Sequence, residues 1–394
     1  MQAMNEIINE AEKYLLHTYN RFPVVFEKGE GVYLYDTEGK KYLDFFAGIA
    51  VSGLGYGNKI YTQALHEQID KLTHISNLFY TKPLTEAAKL LCEASGMDKI
   101  FFTNSGAEAI EGSIKMARKY QYAKGNTDKT EIIAFNHSFH GRTMGAVAVT
   151  GNEAYRKPFG PLIGEVHFAE YNNIESVKSF VSDKTCAIIL ETLQGEGGIY
   201  PAEENFLEEI RDICNKNDIV MILDEVQCGF GRTGKMFAYQ NYSVEPDIVT
   251  MAKGIGNGVP VGAFACKEAF AALVPGDHGT TYGGNPFVTA AVSAVIKAYK
   301  EENILENVKE TGEYMYEKLE ELMKKHTCIS AHRGMGLMQG LVLDTELAPV
   351  INKAREKGLI IISAGGNVIR FLPPLVIKKE HIDEMIEILD EILE

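Results

Sequence analysis

The chain has 394 residues, 45% of them apolar and 24% charged, with a formal net charge of −15. That length exceeds a usual single core, so two domains are expected, and the composition excludes a disordered chain. The acidic balance excludes a nucleic-acid groove or an anionic membrane surface as partner. It permits small anions, because a few arginines act locally in a pocket.

The N-terminal run MQAMNEIINEAEKYLLHTYNRF carries acids and has no apolar core, so it does not read as a signal peptide. No stretch approaches the ~20 apolar residues that cross a bilayer. The six cysteines are scattered without a C-x-x-C pair. That pattern fits buried thiols in a reducing compartment, and a cytoplasmic location is expected.

Apolar spacing predicts a helix over residues 5–18, and GVYLYDTEGKKYLD (31–44) a hairpin turning at Thr37–Gly39. The middle then alternates. Strands are expected at 99–102, 131–135, 186–190, 219–224, 248–250 and 262–266, with helices at 105–122 and 203–216. Short, continuously apolar strands separated by helices indicate a buried, mostly parallel sheet with helices on both faces. From about residue 303 the texture changes to charged helices at 305–325 and 380–393 around strands at 337–343, 359–362 and 368–372. The expected organisation is an N-terminal segment, 1–50, that helps complete a small domain; a large α/β domain, 51–302; and a C-terminal α+β small domain, 303–394.

Ligands in such sheets sit beyond the carboxyl ends of the strands. In FFTNSGAEAIEGSIKMAR, Ser105 and Glu108 form an S-x-x-E capping box, and the first-turn N–H groups at Gly106 are free either to be solvated or to hold an anion. Asp224, with Glu225 beside it, ends the apolar run IVMILD; it is a turn acid or an anion aimed at a ligand cation. Lys253, in IVTMAKGIGNGVPVGA, is a snorkelling lysine or a desolvated nucleophile among glycines that let backbone approach a ligand. A phosphate cradle, a carboxylate and a poised lysine together point to pyridoxal phosphate, which needs an anchored phosphate, a protonated ring nitrogen and a Schiff-base lysine.

NSGAEA, SFHGRT, QGEGG, DEVQCGFGRTG, AKGIGNGVP, HGTTYGGNP and VIRFLPPL follow one another in an order that resembles the class III (ω-amino acid) pyridoxal-phosphate aminotransferases. With YNRFPVVFEKGEGVYLYDTEGKKYLDFFAGIAV, the likeness covers nearly the whole chain. The resemblance implies the pyridoxal-phosphate fold type I. It makes Lys253 the Schiff-base and proton-moving lysine and Asp224 the partner of the pyridinium nitrogen. It places Val226 and Phe139 on the ring faces, Gln227 at the phenolic oxygen, and Gly106 and Ala107 on the phosphate, with Ser105 and Glu225 in the same cofactor-binding set. Thr281 would reach the phosphate of a neighbouring subunit, so a homodimer with shared sites is implied. Arg142 and Thr280 would hold the distal end of the substrate, and Arg370 the carboxylate of glutamate or 2-oxoglutarate, with Glu196 as its intramolecular cover. Two arginines suit this work because a guanidinium pairs bidentately with a carboxylate.

The compact length and N-terminal run look most like those members that move the δ-amino group of N2-acetyl-L-ornithine to 2-oxoglutarate. Ornithine, succinylornithine, succinyldiaminopimelate and 4-aminobutyrate are the alternative donors. An aminomutase would not need separate arginines for two substrates, and a non-catalytic binder would not need Lys253. Two departures stand out: YGNKIY (56–61) replaces a His-x-His-Pro-like stretch, and Thr192 stands where the family has proline. His137 and His140 have no carboxylate or cysteine beside them in sequence to complete a metal site, so no metal is expected. Cys228 is expected to pack rather than react.

Overall fold

The computed structural model describes residues 2–393. Its centre is a seven-stranded sheet in the order Lys99–Thr103, Gly262–Cys266, Ile248–Met251, Val220–Asp224, Thr185–Glu191, Glu131–Phe135, Val166–Ala169. The strands from Ile248–Met251 onward run parallel, while Gly262–Cys266 is antiparallel to both its neighbours. Thr185–Glu191 and Val220–Asp224 are buried along their whole length, as their unbroken apolar runs require when helices cover both faces. The edge strand Val166–Ala169 has no counterpart among the expected elements.

The expected hairpin forms from Tyr33–Asp36 and Lys41–Asp44, with Gly39 at φ 81° and the Asp36 side chain accepting from the Glu38 and Lys40 N–H groups. It belongs to a four-stranded sheet with Phe26–Glu30 and, from the far end of the chain, Leu359–Ile360, which pairs parallel to Leu43–Asp44. The stretch 359–362 is therefore not one strand. It breaks at Ile361, and Ile362–Ala364 joins a second four-stranded sheet beside Val368–Phe371, Met338–Leu343 and Ile329–Met335. The N-terminal helix stops at Tyr14, four residues before its expected end, because Leu15 and Leu16 find nothing in this chain to pack against and stay exposed.

Two helices pack closely on the sheets, and the first of them borders the cavity. Gly106–Ala123 lies close over the sheet because Gly112 faces the Phe264 ring, where a Cβ would come within 2.1 Å. Ile304–Lys325 packs on the helix Lys379–Ile392 and turns an apolar stripe of Val308, Met315, Leu319 and Leu322 inward.

Candidate active site

Three strand ends supply the floor. Asp224 and Glu191 are register partners on adjacent parallel strands, so their carboxylates emerge side by side. Asp224 Oδ1 accepts from Val226 N at 2.9 Å and Thr250 Oγ1 at 3.2 Å, while Oδ2 accepts from His140 Nδ1 at 2.7 Å. Burial pulls the His140 imidazole down, but the hydrogen bond and charge of Asp224 prevail and hold it above its ordinary range. Glu191 accepts from Phe139 N and from Gly195 N, each at 3.0 Å; burial pushes its carboxyl up to about 7.

Lys253 follows Ile248–Met251 and stands at φ 47°, a left-handed conformation costing a side-chain-bearing residue roughly 1–2 kcal/mol. Part of its surface faces the cavity, but protein packs round its amine. Burial therefore lowers that amine below its ordinary range; Glu196 opposes the shift and Arg370 adds to it. The Lys253 amine has no hydrogen-bond or ion-pair partner among the described residues.

The wall opposite is the start of the helix Gly106–Ala123. Ser105 Oγ accepts from Glu108 N at 3.3 Å. The other half of the expected capping box falls one residue earlier: Glu108 Oε2 accepts from Asn104 N at 2.7 Å and Asn104 Nδ2 at 2.9 Å. The Gly106 and Ala107 N–H groups precede the first intrahelical bond and stay free. A Cβ at Gly106 would lie 2.9 Å from Val226, so glycine is what lets this turn meet the floor.

These elements enclose a cavity of about 440 Å³ lined by Ser105, Gly106, Ala107, Phe139, Arg142, Asp224, Val226, Gln227 and Lys253, together with His140, Glu191, Asn104 and Val51. A larger groove of about 1620 Å³, between the helices Lys59–Ile69, Lys82–Ser95 and Pro286–Glu301, contains none of the expected residues. Arg142 is exposed and stacked, its guanidinium carbon 3.8 Å from the Tyr155 ring centroid.

Arg370 comes from Val368–Phe371 and is 1% exposed. Its Nη1 donates to Glu196 Oε1 at 2.6 Å and to Gln227 Oε1 at 3.0 Å, and its Nε is buried without a partner. Burial pushes the Glu196 carboxyl up, but the charge and hydrogen bond of Arg370 outweigh this and hold it below the ordinary range. Gln227, expected at a phenolic oxygen, here spends its amide on Arg370 and Glu196.

Five expected residues do not line the cavity: Arg370 and Glu196, which are bonded to Gln227 of its wall, and Glu225, Thr280 and Thr281. Glu225 turns the opposite way from Asp224, as successive residues do at a strand end, and its buried carboxylate accepts from Thr192 Oγ1 (2.6 Å), Ala238 N (2.6 Å) and Tyr239 N (3.0 Å). Its side chain therefore faces away from the cavity, and Thr192 supplies it a hydroxyl donor that proline would lack. Thr280 Oγ1 accepts from Asn104 Nδ2 at 3.2 Å and Gly283 N at 3.1 Å, at the margin. Thr281 is exposed on the following loop position. Cys228 is buried, packed over the Asp224 carbonyl at 3.6 Å.

Sequence reasoning missed Glu191 and the role of His140. The signal for Glu191 was present, since CAIILE and VMILD both end an apolar strand on an acid. His140 gave none, because its carboxylate is Asp224, 84 positions away.

Residues 14–393 match the family described as Aminotransferase class-III. A curated acetylornithine aminotransferase of Clostridium acetobutylicum is 47% identical over 383 residues, covering 97% of this chain and 99% of that protein. Another, from Caldanaerobacter subterraneus, is 48% identical over 388 residues, covering 98% of this chain and 99% of its own. Among solved structures, the ornithine aminotransferase of Toxoplasma gondii superposes with a TM-score of 0.95 at 28% identity, over 99% of this chain and 94% of that one. The chain belongs to the class III aminotransferases.

Proposed function

We propose that this enzyme binds pyridoxal phosphate in the strand-end cavity and moves the δ-amino group of N2-acetyl-L-ornithine to 2-oxoglutarate, giving N-acetyl-L-glutamate 5-semialdehyde and L-glutamate, a step of arginine biosynthesis. The observation that carries it is the meeting of Lys253 and Asp224 in one cavity, with the covered Arg370 hydrogen-bonded to Gln227 of its wall. Relatives named for the acetylornithine reaction, 47–48% identical over nearly the whole chain, support the donor.

The residues fit the cofactor. A desolvated, partnerless amine faces a helix start whose glycine leaves room for an anion, and a buried carboxylate is steadied by His140 on its far oxygen. Gly106, Ala107 and Ser105 would hold the phosphate, Val226 and Phe139 the ring faces, and Asp224 the ring nitrogen. Bound pyridoxal phosphate supplies an aldehyde that accepts the amino group and a ring that withdraws electrons. Lys253, held below its ordinary range by burial, offers a neutral amine that acts as nucleophile and then takes and returns the substrate-carbon proton. Asp224, with His140 fixing its orientation, keeps a proton on the ring nitrogen. Arg142 and Thr280 orient the acyl end, and Arg370 takes the carboxylate of glutamate once Glu196 withdraws.

The same proposal makes the active unit a homodimer in the cytoplasm, with Thr281 serving the neighbouring site. Thr281 stands outside its own cavity, on a loop that Asn77 ties by hydrogen bonds to the Thr280 and Gly283 carbonyls, and the exposed apolar side chains of Leu78, Phe79, Tyr80 and Tyr282 in these two segments are what a second copy would cover. No helix among the described residues is long and apolar enough to cross a membrane. The division near residues 50 and 302 belongs to the proposal as well.

The resemblance in shape to the Toxoplasma enzyme favours ornithine as the second reading, at lower identity. Initial rates with acetylornithine, ornithine, succinylornithine, succinyldiaminopimelate and 4-aminobutyrate, each with 2-oxoglutarate, decide between them. Acetylornithine is expected to have the highest kcat/KM, because its acetylated α-nitrogen is uncharged and cheap to desolvate. A higher value for any other donor replaces it.

A further inference from the structure

We propose that Tyr155 is a positioning residue of the substrate site: its ring aims the Arg142 guanidinium at the carboxylate that the donor carries beside its acylated nitrogen. The inference rests on the aminotransferase reading above and deepens it.

Phe139 and Arg142 line the cavity and Tyr155 does not, yet its ring meets both. The Arg142 guanidinium carbon lies 3.8 Å from the Tyr155 ring centroid and 5.3 Å from that of Phe139. The two rings are themselves an edge-to-face pair, 6.3 Å apart at 89°. The chain between them builds this contact. Gly151 N donates to the Ser138 carbonyl and to its hydroxyl, each at 3.0 Å, and His140 N donates to Thr150 Oγ1 at 3.0 Å. Those bonds fold residues 150–151 back on 138–140. Asn152 then caps the short helix Glu153–Arg156, its Oδ1 accepting from Ala154 N at 3.0 Å. Tyr155 is thereby set against the loop that carries Phe139 and Arg142.

Arg142 is exposed, and its guanidinium has no hydrogen-bond or ion-pair partner among the described residues. A long side chain left free in this way gives up its rotamer freedom each time it takes a carboxylate. A ring against the flat face of the guanidinium fixes its plane beforehand. The N–H edge, which pairs bidentately with an anion, stays open. An acidic holder would occupy that edge, as Glu196 does on Arg370. The Tyr155 hydroxyl makes no hydrogen bond among the described residues, so the ring alone holds the arginine.

A matched pair of donors separates this role from packing. N-acetyl-1,4-diaminobutane keeps the acetamide and the reacting amine of acetylornithine and lacks only the carboxylate. N-acetyl-L-norvaline keeps the acetamide and the carboxylate, lacks the amine and cannot react. The holoenzyme, reconstituted with pyridoxal phosphate, is assayed for kcat and KM with both donors and titrated calorimetrically with N-acetyl-L-norvaline. Tyr155→Leu is expected to raise the acetylornithine KM and to weaken N-acetyl-L-norvaline by about 3- to 30-fold, as loss of a cation–π contact does. Its kcat should move by less than about 3-fold, and the donor without the carboxylate should keep its kcat/KM within about 2-fold. Tyr155→Phe keeps the ring and should match the wild type within about 2-fold. In an Arg142→Gln background, Tyr155→Leu should add no further loss, because both changes act on one contact. Equal losses for the two donors overturn the proposal. So does a loss in Tyr155→Phe as large as in Tyr155→Leu, or an undiminished cost in the Arg142→Gln background. A wild-type enzyme that ignores acetylornithine overturns the substrate reading alone. The donor it prefers, paired with the same molecule lacking its distal carboxylate, then judges Tyr155.

Discussion

The floor and the rim of the cavity are wired in different ways. On the floor, Asp224 and Glu191 are held mainly by backbone N–H groups and by residues on neighbouring elements, at Val226, Thr250, His140, Phe139 and Gly195. At the rim, Arg370 is held by two side chains and keeps a buried Nε without a partner. Backbone partners cannot leave without unfolding a strand end, whereas side-chain partners exchange by rotation. The floor is built to be permanent and the rim to be re-paired. The two arginines repeat the lesson: Arg142 is exposed and stacks on Tyr155, whereas Arg370 is buried and has a carboxylate over it. A buried unpaired charge is costly, and water spares Arg142 that cost.

The largest expected effect tests the floor. Lys253→Ala should fold and keep its cofactor pocket yet lose at least ~10³-fold in kcat, since one amine serves as nucleophile and base. Steady-state turnover of the purified variant, without added amines, measures it. Near-normal turnover would make Lys253 an ordinary strained residue.

Next comes the rim. Glu196→Ala uncovers Arg370, so the glutamate half-reaction should speed up relative to the acetylornithine half-reaction. A charged hydrogen-bonded pair worth roughly 1.5–3 kcal/mol corresponds to a change of about 10- to 150-fold in that ratio. Single-turnover absorbance traces with each donor give the ratio; an unchanged value would mean the rim is as fixed as the floor.

The floor was largely legible in the sequence and the rim less so, for one physical reason. Asp224 and Lys253 each end an apolar strand, and strand ends in parallel sheets converge whatever the loops do. Arg370 and Glu196 converge only because separate sheets pack together, and no local pattern records that; their pairing came from resemblance. The same limit hid the split of 359–362, whose apolar run reads as one strand although its halves join different sheets. The direction of the Glu225 side chain was hidden for the opposite reason, since adjacency to Asp224 says nothing about which way a side chain turns.

A smaller effect comes from beneath the floor. Burial pushes the Glu225 carboxyl up to about 7, and Glu191 likewise. The folded protein then binds more protons than the unfolded chain between pH ~4.5 and ~7, so stability falls as pH rises through that window. Each group contributes a slope of up to ~1.4 kcal/mol per pH unit. Glu225→Gln should remove one such slope, read from Tm against pH. If the variant parallels the wild type, Glu225 is already ionised in the folded protein at pH 5.

The smallest effect concerns the departure at residues 56–61, on a third side of the cavity. Residues Ala47 to Ala50 all stand at positive φ, from 47° to 65°, and lead into Val51 on the cavity wall. Such a run costs free energy at every residue but Gly48. Asp44 offsets part of it: Oδ1 accepts from Phe46 N at 2.9 Å and Ala47 N at 2.8 Å, while Oδ2 accepts from the Tyr56 hydroxyl at 2.7 Å. The Tyr56 ring lies against Gly29, and its backbone bridges Gly31. Tyr56→Phe keeps both contacts and deletes one hydrogen bond, so the expected loss is about 1 kcal/mol. In a chain of 394 residues that lowers Tm by only about 1 °C, measurable by scanning calorimetry. Because Asp44 keeps its two backbone donors, the turn should hold its shape and kcat/KM for both donors should stay within about 3-fold. A large fall in kcat/KM with little change in Tm would show that this wall behaves like the rim, answering to a single side-chain bond.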